Sequence, residues 1–160
     1  MDNLIDLNYF QGLLHLPYAN LQSASTASSG KAIDIQQQQL DRQISIHQKD
    51  YLTRMFGSEV VPAEVEDLLI DDVLFVSPIA NYVFCQVLPY YASRATASGE
   101  KKKGASSSTD MDYQGRQLLA WNQMVYMNAL IREKLEEVGK ENEYPTDYNS
   151  AIYALQSEIW

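Results

Sequence analysis

The residues that most often carry out chemistry are few in this chain and far apart. The two histidines, His15 and His47, are 32 positions apart, and the single cysteine, Cys85, lies in the apolar stretch NYVFCQVL. Zinc sites and cysteine nucleophiles need such residues in close groups, usually at short spacings. The spacing therefore predicts no metal site and no cofactor. We expect His47 to be a core or interface residue and Cys85 to be a small buried hydrophobe.

Acidic pairs and phosphate-binding patterns give no stronger signal. Asp71–Asp72 and Glu136–Glu137 are adjacent carboxylates, but neighbours on a helix point about 100° apart and do not share a site. Neither GxGxxG nor GxxxxGK is present, and the serines cluster in polar stretches with no base beside them. The sequence thus predicts a protein without catalytic residues. An active site dispersed along the sequence and assembled by folding is the alternative that remains open.

The charge of the chain limits its partners. Lysine and arginine total 12, aspartate and glutamate total 21, and the formal net charge is −9. Broad binding to nucleic-acid phosphates or to an anionic membrane needs clustered cations, so we expect neither. Lys101, Lys102 and Lys103 form the one basic run. This run is either part of a solvated loop or a contact for phosphate or an acidic partner.

Apolar periodicity predicts a single mainly α domain over residues 1–160, a small bundle of about four to five helices. Residues 1–31 are predicted to be an extended arm and linker, and residues 142–160 a tail with a short helix. The helical core covers 32–141 and contains a long polar loop, 93–109. The apolar residues of the arm must be covered either by the chain's own core or by a neighbouring subunit.

Helix start and stop signals divide this core. The first predicted helix, 32–56, ends at Gly57, and a short one follows over 62–72. Ser77 and Pro78 begin a third helix, the most apolar, which Pro89 should kink or end. The last and longest is predicted over 110–140, with a capping box at its start, and Gly139 ends it. That helix carries two apolar stripes, which either both face the core or divide between core and partner.

Aromatic residues near the predicted loops and chain ends are the candidates for protein contacts. The chain has 11 tyrosines, and tyrosine is favoured at interfaces because it offers a large area with few rotatable bonds. The predicted interface residues are Tyr9, Phe10, Leu13, Tyr90, Tyr91, Tyr113, Tyr153 and Trp160.

Three stretches carry a resemblance to a known family. They are KDYLTRMFGSEV, the helix start SPIANYVF, and RQLLAWNQMVYMNALIREKL after a Gly/Lys/Ser loop. Together, over roughly residues 40–135, they resemble the small head–tail connector (adaptor) proteins of tailed phages, in particular those of crAss-like gut phages. The matching positions are Tyr51, Leu52, Phe56 and Gly57, then 77–80, 99–101 and 120–124.

The resemblance implies structural work. Connector proteins are helical bundles that form a ring, usually of twelve subunits, between the portal and the tail or neck proteins. The expected location is the virion head–tail junction, reached from the host cytoplasm during assembly. DNA would pass through the ring without sequence-specific binding, and no membrane partner is expected. The alternative is a free helical protein–protein interaction module, an adaptor or regulator.

Overall fold

Three long helices form the framework of this computed structural model, and they confirm the predicted small helical bundle. The structure describes residues 3–16, 19, 27–97, 113–144, 152 and 154–155, with the backbone alone for 27–33, 92–97 and 113. The helices are α1 (Ala27–Phe56), α2 (Glu66–Leu69), α3 (Pro78–Ala97) and α4 (Tyr113–Glu137). Short 3-10 turns lie at Leu7–Tyr9, Gly12–Leu14, Ala63–Val65 and Glu141–Glu143.

Helix α1 begins earlier than its sequence predicted. Residues 27–31, ASSGK, were expected to belong to a polar linker, but they form the first turns of the helix. Once a helix is nucleated, each added residue costs little, so serine and glycine can extend it. As a result α1 has 30 residues and α4 has 25. The prediction that the last helix is the longest is therefore wrong.

The predicted glycine stops are confirmed. Gly57 and Gly139 both adopt left-handed backbone, with φ of 73° and 72°, a conformation that favours glycine because it has no Cβ. After α4, the amide of Gly139 donates to the carbonyl of Glu136, and the amide of Lys140 donates to the carbonyl of Leu135. This pair of bonds is the Schellman motif, which satisfies the last carbonyls of the helix.

Helix α3 starts as predicted and runs further than predicted. The hydroxyl of Ser77 accepts a 3.1 Å hydrogen bond from the amide of Ile79, and Pro78 is the first helical residue. Pro89 neither ends the helix nor begins a loop, since α3 continues to Ala97. Pro89 has no amide to donate to the carbonyl of Cys85, four residues earlier, and the side chain of Gln117 donates to that carbonyl instead at 2.8 Å. Residues 93–97 are therefore helix. The rest of the predicted loop and the capping box lie outside the described residues.

The centre of the bundle is α3, which packs between α1 and α4. Its residues 77–88 are all buried except the half-buried Gln86. A helix that is apolar on most of its faces belongs in the middle of a core, and here the polar Asn81 is buried with the apolar residues. The two apolar stripes predicted for α4 are also mostly covered, with Met124, Val125, Ile131 and Leu135 buried.

The N-terminal segment folds onto this core rather than extending from it. Residues 3–16 form two 3-10 turns, and their apolar side chains Ile5, Tyr9, Phe10, Leu14 and Leu16 are buried. The guanidinium of Arg116 on α4 donates to the carbonyls of Leu13 (2.8 Å) and His15 (2.5 Å). Of the two ways to cover the arm that the sequence left open, the structure shows the chain's own core.

The predicted helix 62–72 is shorter in the structure. A 3-10 turn leads into α2, and residues 71–76 then form a tight turn closed by an antiparallel bridge between Asp71 and Val76. Helix α2 ends at Leu69, since Ile70 takes extended backbone. Of the predicted tail, the structure describes residues 142–144, 152, 154 and 155.

Candidate protein interface

The predicted interface residues separate into three groups. Tyr9 and Phe10 are 2% and 0% exposed and belong to the chain's own core; this corrects their assignment to a partner surface. Tyr90 is exposed and Tyr91 and Leu13 are half-buried. The remaining predicted contacts lie outside the described side chains: Tyr113, Tyr153, Trp160 and Lys101–Lys103.

Of the two residues considered for chemistry, Cys85 is buried and His47 is half-buried. The Cys85 thiol is buried, which raises its pKa to about 12, and the side chain of Gln117 donates to the Cys85 carbonyl. Burial lowers the pKa of His47, an effect that nearby Asp50 partly opposes. In the part of the chain that the structure describes, histidine, cysteine, aspartate and glutamate form no group able to hold a metal ion.

The turn formed by residues 71–76, here called the 71–76 turn, carries the most exposed large apolar residue in the described part of the chain, Val73. Asp71 and Val76 exchange two backbone hydrogen bonds of 3.1 and 3.2 Å. A carboxylate oxygen of Asp71 accepts from the amides of Val73 (3.0 Å) and Leu74 (2.8 Å). At the tip, the side chains of Val73 and Leu74 are 86% and 69% exposed.

Aromatic contacts and a hydrogen bond fix the base of this turn. The ring of Phe75 meets the ring of Tyr9 edge to face, with centroids 5.6 Å apart, and the Tyr9 hydroxyl donates to Asp72 across 2.6 Å. Phe75 adopts left-handed backbone with φ of 53°, which costs a non-glycine residue roughly 1–2 kcal/mol. The packing on Tyr9 maintains that strained residue, and the turn therefore holds its apolar tip in solvent.

A second apolar surface lies on the outer face of α4. Leu119 and Tyr126 are 44% and 67% exposed, and with Val76 they line a shallow groove of about 500 Å³. Leu130, one helical turn beyond Tyr126, is also partly exposed. These residues belong to neither of the two stripes noted in the sequence. Their spacing of four and seven is the signal that sequence reasoning missed.

A third surface is a groove between α1 and α3, here called the α1–α3 groove. It has a volume of about 320 Å³, and its lining is Gln36, Gln39, Arg42, Gln43, Val87, Tyr90 and Tyr91. Two of the predicted interface tyrosines therefore lie side by side on it. Side-chain amides and tyrosine hydroxyls can donate and accept hydrogen bonds, so this lining suits contact with a polypeptide.

Charge is distributed unevenly around these surfaces. Between Arg54 and Arg94 the sequence has no lysine or arginine, but it has six acidic residues, all within residues 59–72. Two of these six are paired, Glu59 with Lys49 at 3.2 Å and Glu64 with Lys140 at 2.5 Å. The region around α2 and the 71–76 turn is thus acidic with an apolar tip.

No family model, curated protein or solved structure matches this chain. Within the described residues, each helix falls short of the length or the apolar character that crossing a membrane requires.

Proposed function

We propose that this chain is a structural subunit that works by binding other protein surfaces, with no catalytic role. The observation that carries the proposal is the exposed pair Val73 and Leu74. The turn holds these two large apolar side chains in water, and Phe75 adopts a strained backbone conformation to do so. Neither feature stabilises a solitary bundle. Such a fixed apolar projection suits an interface, where a preorganised element loses little entropy on binding.

Within that class, we propose a connector ring subunit of a tailed phage, positioned between the portal and the tail or neck proteins. The resemblance over residues 40–135 supports this assignment, and so does the helical bundle. The formal net charge of −9 supports it as well. DNA is repelled by a wall of carboxylates, so such a wall favours passage through a channel over adhesion to it.

Electron microscopy of the full chain, alone and mixed with the portal assembly of the same virus, tests this proposal. The expected image is a closed ring with an axial hole that sits coaxially on the portal. A chain that remains monomeric at high concentration, even with the portal present, contradicts it.

The second candidate is a free helical interaction module, and the N-terminal segment favours it. Tyr9 and Phe10 are covered by the chain's own core, and Arg116 fastens the segment through the Leu13 and His15 carbonyls. This part of the molecule needs no neighbour to hide its aromatic residues. Sedimentation at increasing concentration separates the two candidates, because a free module gives a stable monomer or dimer and a ring subunit gives a larger closed species.

A further inference from the structure

We propose that the 71–76 turn of one copy of this chain docks into the α1–α3 groove of a second copy. The inference rests on the proposed function, since it assumes that copies of the chain assemble with one another. The contact is head-to-tail: each copy binds one neighbour through its turn and the other neighbour through its groove.

The two surfaces lie at different levels along α3, the turn before its N-terminus and the groove near its middle. The turn immediately precedes Pro78, the first residue of the helix, whereas the groove involves Val87, Tyr90 and Tyr91. At 1.5 Å per residue, the nine residues from Pro78 to Val87 separate the two surfaces by about 14 Å along the helix. When one patch binds a different patch on the next copy, each copy is rotated relative to the one before it. If successive rotations add up to a full turn, the copies form a closed ring.

Charge complementarity selects a second copy as the occupant of the groove. The turn carries Asp71 and Asp72, and Glu66 and Asp67 of α2 lie beside Asp72 on the same acidic surface. Among the described residues that line the groove, Arg42 is the one that carries a charge, and it forms no ion pair with any residue that the structure describes. The cation in the groove attracts the acidic turn, whereas two acidic turns repel each other. Charge therefore favours contact between a turn and a groove over contact between two turns.

The chemistry of the two surfaces is also matched. Val73 and Leu74 at the tip need apolar cover, and the rings of Tyr90 and Tyr91 can supply it. The amides of Gln39 and Gln43 border these apolar groups and can bond to the backbone of an incoming turn. An apolar anchor surrounded by polar groups is the usual arrangement of a protein interface.

Sedimentation and native mass spectrometry of full-length variants test the proposal. Leu74→Glu blocks the turn and Arg42→Glu blocks the groove, and each is expected to weaken self-association about tenfold or more. An equimolar mixture of the two variants retains one intact turn and one intact groove, so it is expected to form dimers and nothing larger. Val60→Glu, at an exposed position outside the three surfaces, is the matched control and is expected to assemble like the unaltered chain. Tyr126→Glu tests the exposed face of α4 as the competing contact.

Disulfide trapping gives the contact directly. Chains carrying Leu74→Cys are mixed with chains carrying Gln39→Cys and oxidised; a disulfide-linked dimer of one copy of each is expected. The native Cys85 is 4% exposed and does not compete. The link should form between unlike variants far faster than within either variant alone, because the contact joins a turn to a groove.

The outcomes separate this inference from the proposed function. If rings form and neither Leu74→Glu nor Arg42→Glu disturbs them, the chain is a ring subunit and the turn-to-groove contact is wrong. If Tyr126→Glu alone prevents assembly, the contact uses the α4 face and the inference is again wrong. If the unaltered chain never associates, with or without the portal, both proposals fail. Circular dichroism confirms that each variant is folded.

Discussion

The hydroxyl of Tyr51 donates a hydrogen bond to Oδ1 of Asn128 across 2.5 Å, and this contact joins α1 to α4 inside the bundle. The same asparagine uses its Nδ2 to donate to the carbonyl of Ile152 at 2.9 Å. Asn128 and Tyr51 are both 0% exposed. One buried amide therefore connects the first long helix, the last long helix and the segment that follows them.

Asn128→Ala is expected to lower the free energy of unfolding by about 2–3 kcal/mol, because it removes two buried hydrogen bonds, one from the Tyr51 hydroxyl and one to the Ile152 carbonyl. Urea unfolding followed by circular dichroism measures this change. The matched control is Asn142→Ala, an exposed residue whose side chain bonds, among the described residues, to its neighbour Glu141. That control should stay within about 0.5 kcal/mol of the unaltered chain. Superimposable curves for the two variants would contradict the assigned role of Asn128.

Tyr9→Phe is expected to loosen the 71–76 turn while leaving the bundle folded. The substitution keeps the ring that packs on Phe75 and removes the 2.6 Å bond to Asp72, at a cost of about 1 kcal/mol. Amide hydrogen exchange should therefore become faster at Val73 and Leu74, whose N–H groups bond to Asp71 next to Asp72. Tyr126→Phe alters an exposed hydroxyl and should leave those rates unchanged. Equal exchange in both variants argues against the Tyr9 bond as the fixing contact.

Acidification from pH 7.5 to 5.5 is expected to reduce the free energy of unfolding through His47. Burial lowers the pKa of His47 below its ordinary value of 6.5 in the folded chain, against a smaller opposing effect of Asp50. As the pH falls through 6.5, the unfolded chain therefore binds more protons than the folded chain. The free energy of unfolding decreases over this range, and it stops decreasing once the pH is below the pKa of His47 in the folded chain.

His47→Gln removes this proton and should flatten the pH dependence. Urea unfolding at several pH values gives the slope for each variant. Asp50, the charged neighbour, titrates below this window, because its pKa lies under its ordinary value of 3.8: burial raises it, but hydrogen bonds from Tyr82 and Arg54 outweigh that effect. A slope that is the same with and without His47 would assign the pH dependence to other groups.

The thiol of Cys85 is expected to react slowly in the folded chain. A pKa of about 12 in place of 9.0 lowers the reactive thiolate fraction by about a thousandfold at neutral pH. Labelling with a chromogenic disulfide reagent should therefore be slow in buffer and fast in urea. Gln39→Cys adds an exposed thiol to the same chain, and one thiol per chain of this variant should be labelled quickly in buffer. Rapid labelling of Cys85 under native conditions would show that it is accessible.

Much of the fold could be predicted because its signals are local. Gly57 and Gly139 end helices, and Ser77 with Pro78 begins one, through contacts within a few residues. The extension of α1 through ASSGK could not be predicted, because helix propensity there is weak and the outcome depends on the turns that follow.

The candidate interface was harder to predict. Tyr90 and Tyr91 were identified from residue type, and the structure places both on one groove. Tyr9 and Phe10 were misassigned because composition does not reveal whether an arm folds back. Its burial depends on Arg116, which is more than 100 positions away in sequence. The exposure of Val73 and Leu74 depends on the left-handed backbone of Phe75 and on Tyr9, which are tertiary features.

The attachment of the N-terminal segment to Arg116 has a consequence for biosynthesis. The carbonyls of Leu13 and His15 leave the ribosome long before the guanidinium that holds them, and the same guanidinium lies 5.1 Å from the ring centroid of Phe84. Until α4 is translated, the N-terminal segment lacks this attachment, and nascent chains on one message are exposed to one another. Core closure is therefore a late event in the life of each polypeptide, and a chain truncated before residue 116 would lack the group that holds its N-terminal segment.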